Sequence, residues 1–445
     1  MYPSRRRRKL FPRRKSTHKE GIITFIVTMI VGVPICYVLG LVGAAGLVSM
    51  GPTYFSTVAQ KLFASANNYS LMAIPMFILA GELMGLSGDV HRLMDFCRSI
   101  IGRIRGGIAY VCTIVGLLLG GILGMANAEA ALLSSTIYPE MLKDGYEDTF
   151  SACFIGSVSV VGPLIPPGLL YVIYGVASGT PIASLFESGV IPGILVAIAL
   201  MSVIFVLSRK PGCPWKTHEW KGWKHVLHCF KDAAFSIVAP FLTFVCIAAG
   251  ITTATEAASV IIVFVLLVGT IVYKKIKFKD LLPMMIRSAV MSAAILMIAS
   301  MAGVMGWVLA IDQIPQKICN LMISMTNSRI AVLFIIQIFL LFVGMFMDAA
   351  PAVLILVPVF MPIMKQYGID PVHFGLLMCF NLTIGVLTPP VGTCLYTTAM
   401  ATGVPVDRMI KGIWPWIGVL VVVLFICTYW EGLILFIPRL LGYGV

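Results

Sequence analysis

Charge is scarce in this sequence. Asp, Glu, Lys and Arg make up 11% of its 445 residues, against about 25% in a soluble domain. A chain that is also 59% hydrophobic cannot cover itself with water-compatible surface, so a bilayer is its solvent. Paired cysteines are missing too. Eleven cysteines are scattered as singles, among them Cys36, Cys112, Cys153 and Cys394, with no CxxC spacing. That argues against a disulfide frame and leaves them as small apolar residues in packed helices. There is no Walker loop, no GxSxG and no HExxH, so neither ATP-driven pumping nor the enzyme chemistry those motifs carry has support.

What charge there is leans basic, with a formal net charge of +13. The excess reads as a membrane-topology signal rather than a nucleic-acid surface. The basic start (Arg5 to Lys9, then Arg13, Arg14 and Lys15) is followed by an apolar run too long for a cleaved leader. Apolar stretches of crossing length, roughly 20 residues, fall near 21–48, 70–86, 149–178, 185–207, 233–250, 256–273, 283–309, 372–401 and 412–432. Two more, 106–141 and 329–366, are interrupted mid-way by Gly, Asn, Asp or Pro and read as re-entrant hairpins. With a cytoplasmic N-terminus, 27 of the 32 Lys and Arg fall on 1–20, 87–107, 141–148, 208–232, 274–287 and 402–412. Only Lys61, Lys317, Arg329, Lys365 and Arg439 fall on the other side, as the positive-inside rule requires. The runs 88–104 and 311–327, one before each hairpin, are amphipathic and expected to lie in the interface.

A shift of 223 residues aligns the two halves. Gly121 meets Gly344, Pro139 meets Pro362, Gly162 meets Gly385 and Pro166-Pro167 meets Pro389-Pro390. The expected fold is therefore an all-α polytopic membrane protein made of inverted repeats. Its parts are a basic tail (1–20), a first repeat (21–207), a cytoplasmic linker (208–232) and a second repeat (233–435). A Pro-Pro pair removes two amide donors and blocks a helix. At membrane depth the freed carbonyls must be buried in protein, face a wet cavity or bind a cation. Gly162–Pro167 and Gly385–Pro390 form such breaks, and the hairpin tips at Gly124–Asn127 and Met347–Pro351 supply two more. Broken helices at matching positions are a transporter pattern. Facing helix ends offer carbonyls to Na⁺ and N–H groups to an anion. Asp348, alone at the second tip, is the leading cation ligand, and a cap for the helix starting at Ala349 is its structural alternative. Glu129 is a cap or a site residue, while Glu82 and Glu256 read as structural. His218, His225, His228 and Cys229 have metal-compatible spacing. Their neighbours Trp215, Trp220 and Trp223 favour an interfacial helix over 214–230 instead.

The segments IPMFILAGELM (74–84), GPLIPP (162–167), TATEAASV (253–260), GMFMDAAPAVLILVPVFMPI (344–363) and IDPVHFGLLMCFNLTIGVLTPPVGT (369–393) resemble the large membrane subunit of tripartite ATP-independent periplasmic (TRAP) transporters, over about residues 21–435. The resemblance implies a bacterial inner-membrane, Na⁺-coupled importer of a small carboxylate (a dicarboxylate or a sialic, sugar or keto acid). It implies an elevator mechanism, a periplasmic substrate-binding protein and a separate four-helix membrane subunit. A related elevator carrier working without a binding protein is the alternative. At the first hairpin, Met125 and Glu129 stand where the family usually has Ser and Asp. The ion candidates are accordingly Asp348, Gly344, Gly385 and Thr388 first, then Asn127 and Gly162. No Arg lies at a tip or break, so the solute is expected on helix ends, hydroxyls and amides at Asn127, Ser134, Ser135, Pro166, Asn381, Thr388, Pro389 and Thr393.

Overall fold

The computed structural model describes residues 17–50, 55–217 and 219–444; residues 1–16, most of the basic tail, and His218 lie outside them. Among the described residues every regular element is helical. Seven helices among the described residues are long and apolar enough to cross a membrane, or up to nine if each bent pair is one span. The chain is a multi-pass membrane protein.

The expected crossings at 70–86, 185–207 and 256–273 are helices at Tyr69–Ser87, Ile182–Ser208 and Ala254–Val272. Glu256 closes a capping box with Thr253 at the start of the last of these, satisfying helix donors that lipid would leave orphaned. The crossing expected at 283–309 is one 34-residue helix, Phe278–Ile311, about 51 Å long at 1.5 Å per residue.

Two expectations are corrected. The stretch 21–48 is not one crossing but two helices, Thr17–Ile30 and Ile35–Met50, packed side by side. A methyl group on Gly21 would touch Val42. The reason is local. Gly32 is left-handed at φ 80°, and the Val33 and Gly32 amides bond back to the Thr28 and Met29 carbonyls. That is a Schellman stop, with Pro34 blocking continuation. Counting crossings therefore no longer ties the tail to the side of the other basic segments. The run 214–230 is not an interfacial helix either. Residues 214–222 are mostly irregular, and Trp223–Ala248 is one continuous helix. The irregular part clasps the foot of the first hairpin: Trp215 stacks on Tyr146 at 4.3 Å, and the Lys216 amide donates to the Asp144 carbonyl at 2.9 Å. Among the described residues no group of three His, Cys, Asp or Glu is placed to hold a metal.

The amphipathic runs form helices Asp89–Ile101 and Ile314–Met325. The first is anchored through Asp89, whose carboxylate accepts from Ser236 Oγ at 2.5 Å and from Ser87 Oγ. Arg92 donates to the Ser87 carbonyl at 2.7 Å and lies over the Tyr273 ring. Burial pushes the Asp89 carboxyl above its ordinary range, against the pull of its hydroxyl donors. This knot joins four helices beside Lys274 and Lys275, which follow Tyr273. Asp89→Ala would take the carboxylate acceptor from the buried Ser236 hydroxyl, at about 1–3 kcal/mol, while Ser87 keeps the Met84 carbonyl at 2.8 Å. We expect a melting temperature several degrees lower in detergent, with the protein still inserted; an unchanged melting curve would contradict the role.

Candidate functional site

The first hairpin is built from Gly107–Leu123 and Ala126–Thr136, and the second from Arg329–Phe346 and Ala349–Gln366. Each is followed by a helix that stops and restarts. The first runs Asp148–Val158 and resumes as Leu169–Ser178, bent by 45°. The second runs Pro371–Gly385 and resumes as Thr393–Thr402. Both Pro-Pro bonds, 166-167 and 389-390, are cis. The restarting helices at Ala126 and Ala349 lie 223 positions apart, as do those at Asp148 and Pro371.

Glycine lets each hairpin and its break share one core. A Cβ on Gly385 would sit 2.5 Å from Gly344 Cα, and one on Gly344 would sit 2.8 Å from Gly385 Cα. In the first half the matching contact is between Gly120 and Gly162, so Gly120 rather than Gly121 makes the close approach. These contacts bury irregular backbone against backbone, which is how such segments persist at membrane depth.

The tips cross over. The second arm of the first hairpin packs on the restarted second broken helix, and that of the second hairpin on the restarted first one. Asn127 Nδ2 faces Thr393 Oγ1 at 3.4 Å. Between the tips lies a cavity of about 570 Å³. Asn127, Asp348, Pro351 and Thr383 line it, together with Pro163 and Leu169 of the first break and Val290 to Ile298 on the long helix. Asp348 is exposed to this space. It occupies the cap position of its helix, extended at φ −65°, but its carboxylate makes no capping bond. Its oxygens therefore remain available to a ligand.

The other expected residues divide. Asn127 lines the cavity and pairs with Thr393, which does not line it itself. Gly344, Gly385 and Gly162 are packing contacts behind it. Thr388 is buried, and its hydroxyl donates to the Ile384 carbonyl at 2.8 Å inside its own break. Asn381 is buried and donates to the Gln337 carbonyl at 2.8 Å, binding the second broken helix to the hairpin. Ser134 is buried with its hydroxyl unpartnered, and Ser135 faces a separate cavity, donating to the Leu132 carbonyl. Pro166 lines an apolar recess of about 160 Å³, and Pro389 is buried. Asn381, Ser134, Ser135, Pro166 and Pro389 thus do not line the main cavity. Glu129 caps nothing. It is fully buried, with its carboxylate turned onto Gly162, Gly120 and Gly116, and neither oxygen makes a hydrogen bond. Thr383, five residues before Thr388, lines the cavity and is not among the residues the sequence singles out. Its hydroxyl bonds to the Cys379 carbonyl at 2.7 Å, and its signal was the 3.6-residue period of the broken helix.

The arrangement offers oxygen donors only, from a carboxylate, hydroxyls, an amide and backbone. That set suits a hard cation beside an oxyanion. Gly385→Ala is expected to overpack the Gly344 contact by about 1–3 kcal/mol and lower the melting temperature. Gly432→Ala, where nothing lies within 4 Å, is expected to melt like wild type. Equal melting of the two variants would refute the packing role.

Comparison with known proteins places this arrangement. The family described as "Tripartite ATP-independent periplasmic transporter, DctM component" matches residues 22–433. A C4-dicarboxylate TRAP transporter large permease of Pseudomonas aeruginosa is 33% identical, over 91% of this chain and 94% of its own. A sialic acid TRAP transporter large permease of Vibrio cholerae is 32% identical, over 95% of this chain and 99% of its own. The YdaH transporter of Alcanivorax borkumensis has a similar fold, with a TM-score of 0.62 over 93% of this chain and 98% of its own, at 12% identity.

Proposed function

Because the chain belongs to the tripartite ATP-independent periplasmic transporter family as its DctM component, a family of carriers rather than enzymes, we propose that it imports a small carboxylate in symport with Na⁺. It does so as the large subunit of a bacterial inner-membrane complex. The observation that carries this reading is the 570 Å³ cavity where both tips and both breaks converge. It is large enough for a solute of the dicarboxylate or sialic acid class that the relatives' names specify. A small four-helix membrane subunit and a periplasmic substrate-binding protein complete the system.

Na⁺ supplies a driving gradient and positive charge beside the solute. In this chain Asp348 and the Thr383 hydroxyl would hold it, with Gly344, Gly385 and Thr388 fixing the backbone around them. The first repeat fits a cation less well. Glu129 fills the gap beside Gly162, and the Asn127 amide oxygen already accepts from the Thr393 hydroxyl at 3.5 Å. The carboxylate has the starts of the helices at Ala126 and Ala349, whose amides point at the cavity end, and the Asn127 amide. Because each hairpin is locked to its break through glycine, the four elements move together. The rest, led by the long helix Phe278–Ile311, is the wall they slide on. The cavity continues past Met125 and Met291 toward the start of Phe278–Ile311, where Lys274, Lys275, Lys277 and Lys279 cluster. The positive-inside rule puts that end in the cytoplasm, so this conformer is the inward-open one.

Two outcomes are expected in proteoliposomes containing all three components. Succinate or N-acetylneuraminate uptake requires an inward Na⁺ gradient, and equal uptake in K⁺ or choline would remove the coupling. Asp348→Ala inserts normally but loses at least about tenfold in uptake, a loss comparable to that of a charge-assisted contact. Wild-type uptake by this variant would release Asp348 from the site.

A further inference from the structure

Beside the main cavity lies a second, of about 410 Å³, reached past Met125, Ala128 and Met291, which line both. Its far wall is formed by the helices Tyr69–Ser87 and Phe278–Ile311, with Gly81 and Gly85 keeping it open. A methyl group on Gly85 would meet nothing within 4 Å. Across this space Arg287 Nη2 faces Glu82 Oε2 at 3.3 Å. Among the residues lining the two cavities, Arg287 is the one cation.

We propose that Arg287 is an anion-binding residue on the solute's way out of the main cavity, and that Glu82 is the partner it exchanges for the solute's carboxylate. This rests on the carboxylate-carrier reading and adds a residue outside the tips and breaks. Three features support it. The Arg287 side chain is 59% exposed, against 32% for Glu82, and it lines the cavity, so guanidinium donors that Glu82 does not use are open to the path. The pair meets through one nitrogen and one oxygen rather than as a bidentate fork, which leaves the fork geometry open to a carboxylate. Its place along the path is also suitable. Arg287 lies seven residues before Ala294 on the same helix, roughly 10 Å of rise, and Ala294 lines the cavity that Asp348 faces. An uncompensated Asp348 carboxylate repels an anion in that cavity, and Arg287 attracts it from the exit side. Low-dielectric walls strengthen both effects. Glu82 returns to Arg287 once the anion has left, so the arginine does not retain it.

The test is binding of succinate and of N-acetylneuraminate to the full chain in lipid nanodiscs, in NaCl, by calorimetry. Arg287→Gln is expected to weaken binding of whichever anion the wild type takes by about tenfold, the value of a charge-assisted hydrogen bond. Arg287→Lys is expected to keep most of the affinity. Glu82→Gln is expected to tighten binding, because it removes the competing carboxylate. A merely structural ion pair would instead make Arg287→Gln and Glu82→Gln alike, both less stable to heat and both unchanged in affinity; that result overturns the proposal. Unchanged affinity in Arg287→Gln with wild-type binding intact defeats this inference alone. A wild type that binds neither anion defeats the carboxylate-carrier reading, and this inference with it.

Discussion

A backbone that leaves helical geometry inside a membrane must hide its amides and carbonyls in protein, and everything distinctive about this chain follows from how it does so. The hiding is done by close approach of one main chain to another. Gly344 against Gly385 and Gly120 against Gly162 bring hairpin and break nearer than any side chain would allow. With the polar backbone covered from behind, the tips are left facing one another across an open space. The cavity is thus the remainder after the breaks have been sealed. The polar groups left facing it are the Asp348 carboxylate, the Asn127 amide, the Thr383 hydroxyl oxygen and the starts of two helices.

The two halves solve this problem differently. In the second half the acidic residue stands at the tip, extended and free of capping bonds, on the cavity side of the glycine contact. In the first, Glu129 sits one turn into the helix and points behind the contact, onto Gly162. One carboxylate addresses the cavity and the other addresses the core. A scaffold of near-equal halves therefore carries an unequal pair of acidic groups, and the solute meets a directional surface rather than a symmetric one.

Much of this was legible in the sequence because Gly and Pro state backbone requirements directly. The Pro-Pro pairs, the tips at Gly124 and Met347 and the amphipathic runs at 88–104 and 311–327 all mark local geometry, and local geometry is written locally. Side-chain direction is not. Asn381 and Thr388 looked like ligands by residue type, yet one bonds to Gln337 and the other to its own break; Thr383, two residues before the break, turns to the cavity. The fold-back within 21–48 was invisible to hydropathy because both of its helices are apolar, and only Gly32 and Pro34 marked the turn. Arg287 was passed over because it is near neither tip in sequence; the packing of Phe278–Ile311 on Tyr69–Ser87 brings it beside the first tip.

The helix Phe278–Ile311 has a further consequence. At about 51 Å it exceeds the roughly 30 Å hydrocarbon thickness of a bilayer, and tilt of the usual 20° absorbs little of that difference. Its lysine-bearing end therefore projects into the headgroups while its middle, Val290 to Ile298, walls the cavity. Membrane thickness sets how much of this helix is held in oil, and so how deep Arg287 and the cavity mouth sit. Acyl-chain length thereby becomes a physical variable of the transport pathway, acting through hydrophobic mismatch on a single rigid rod.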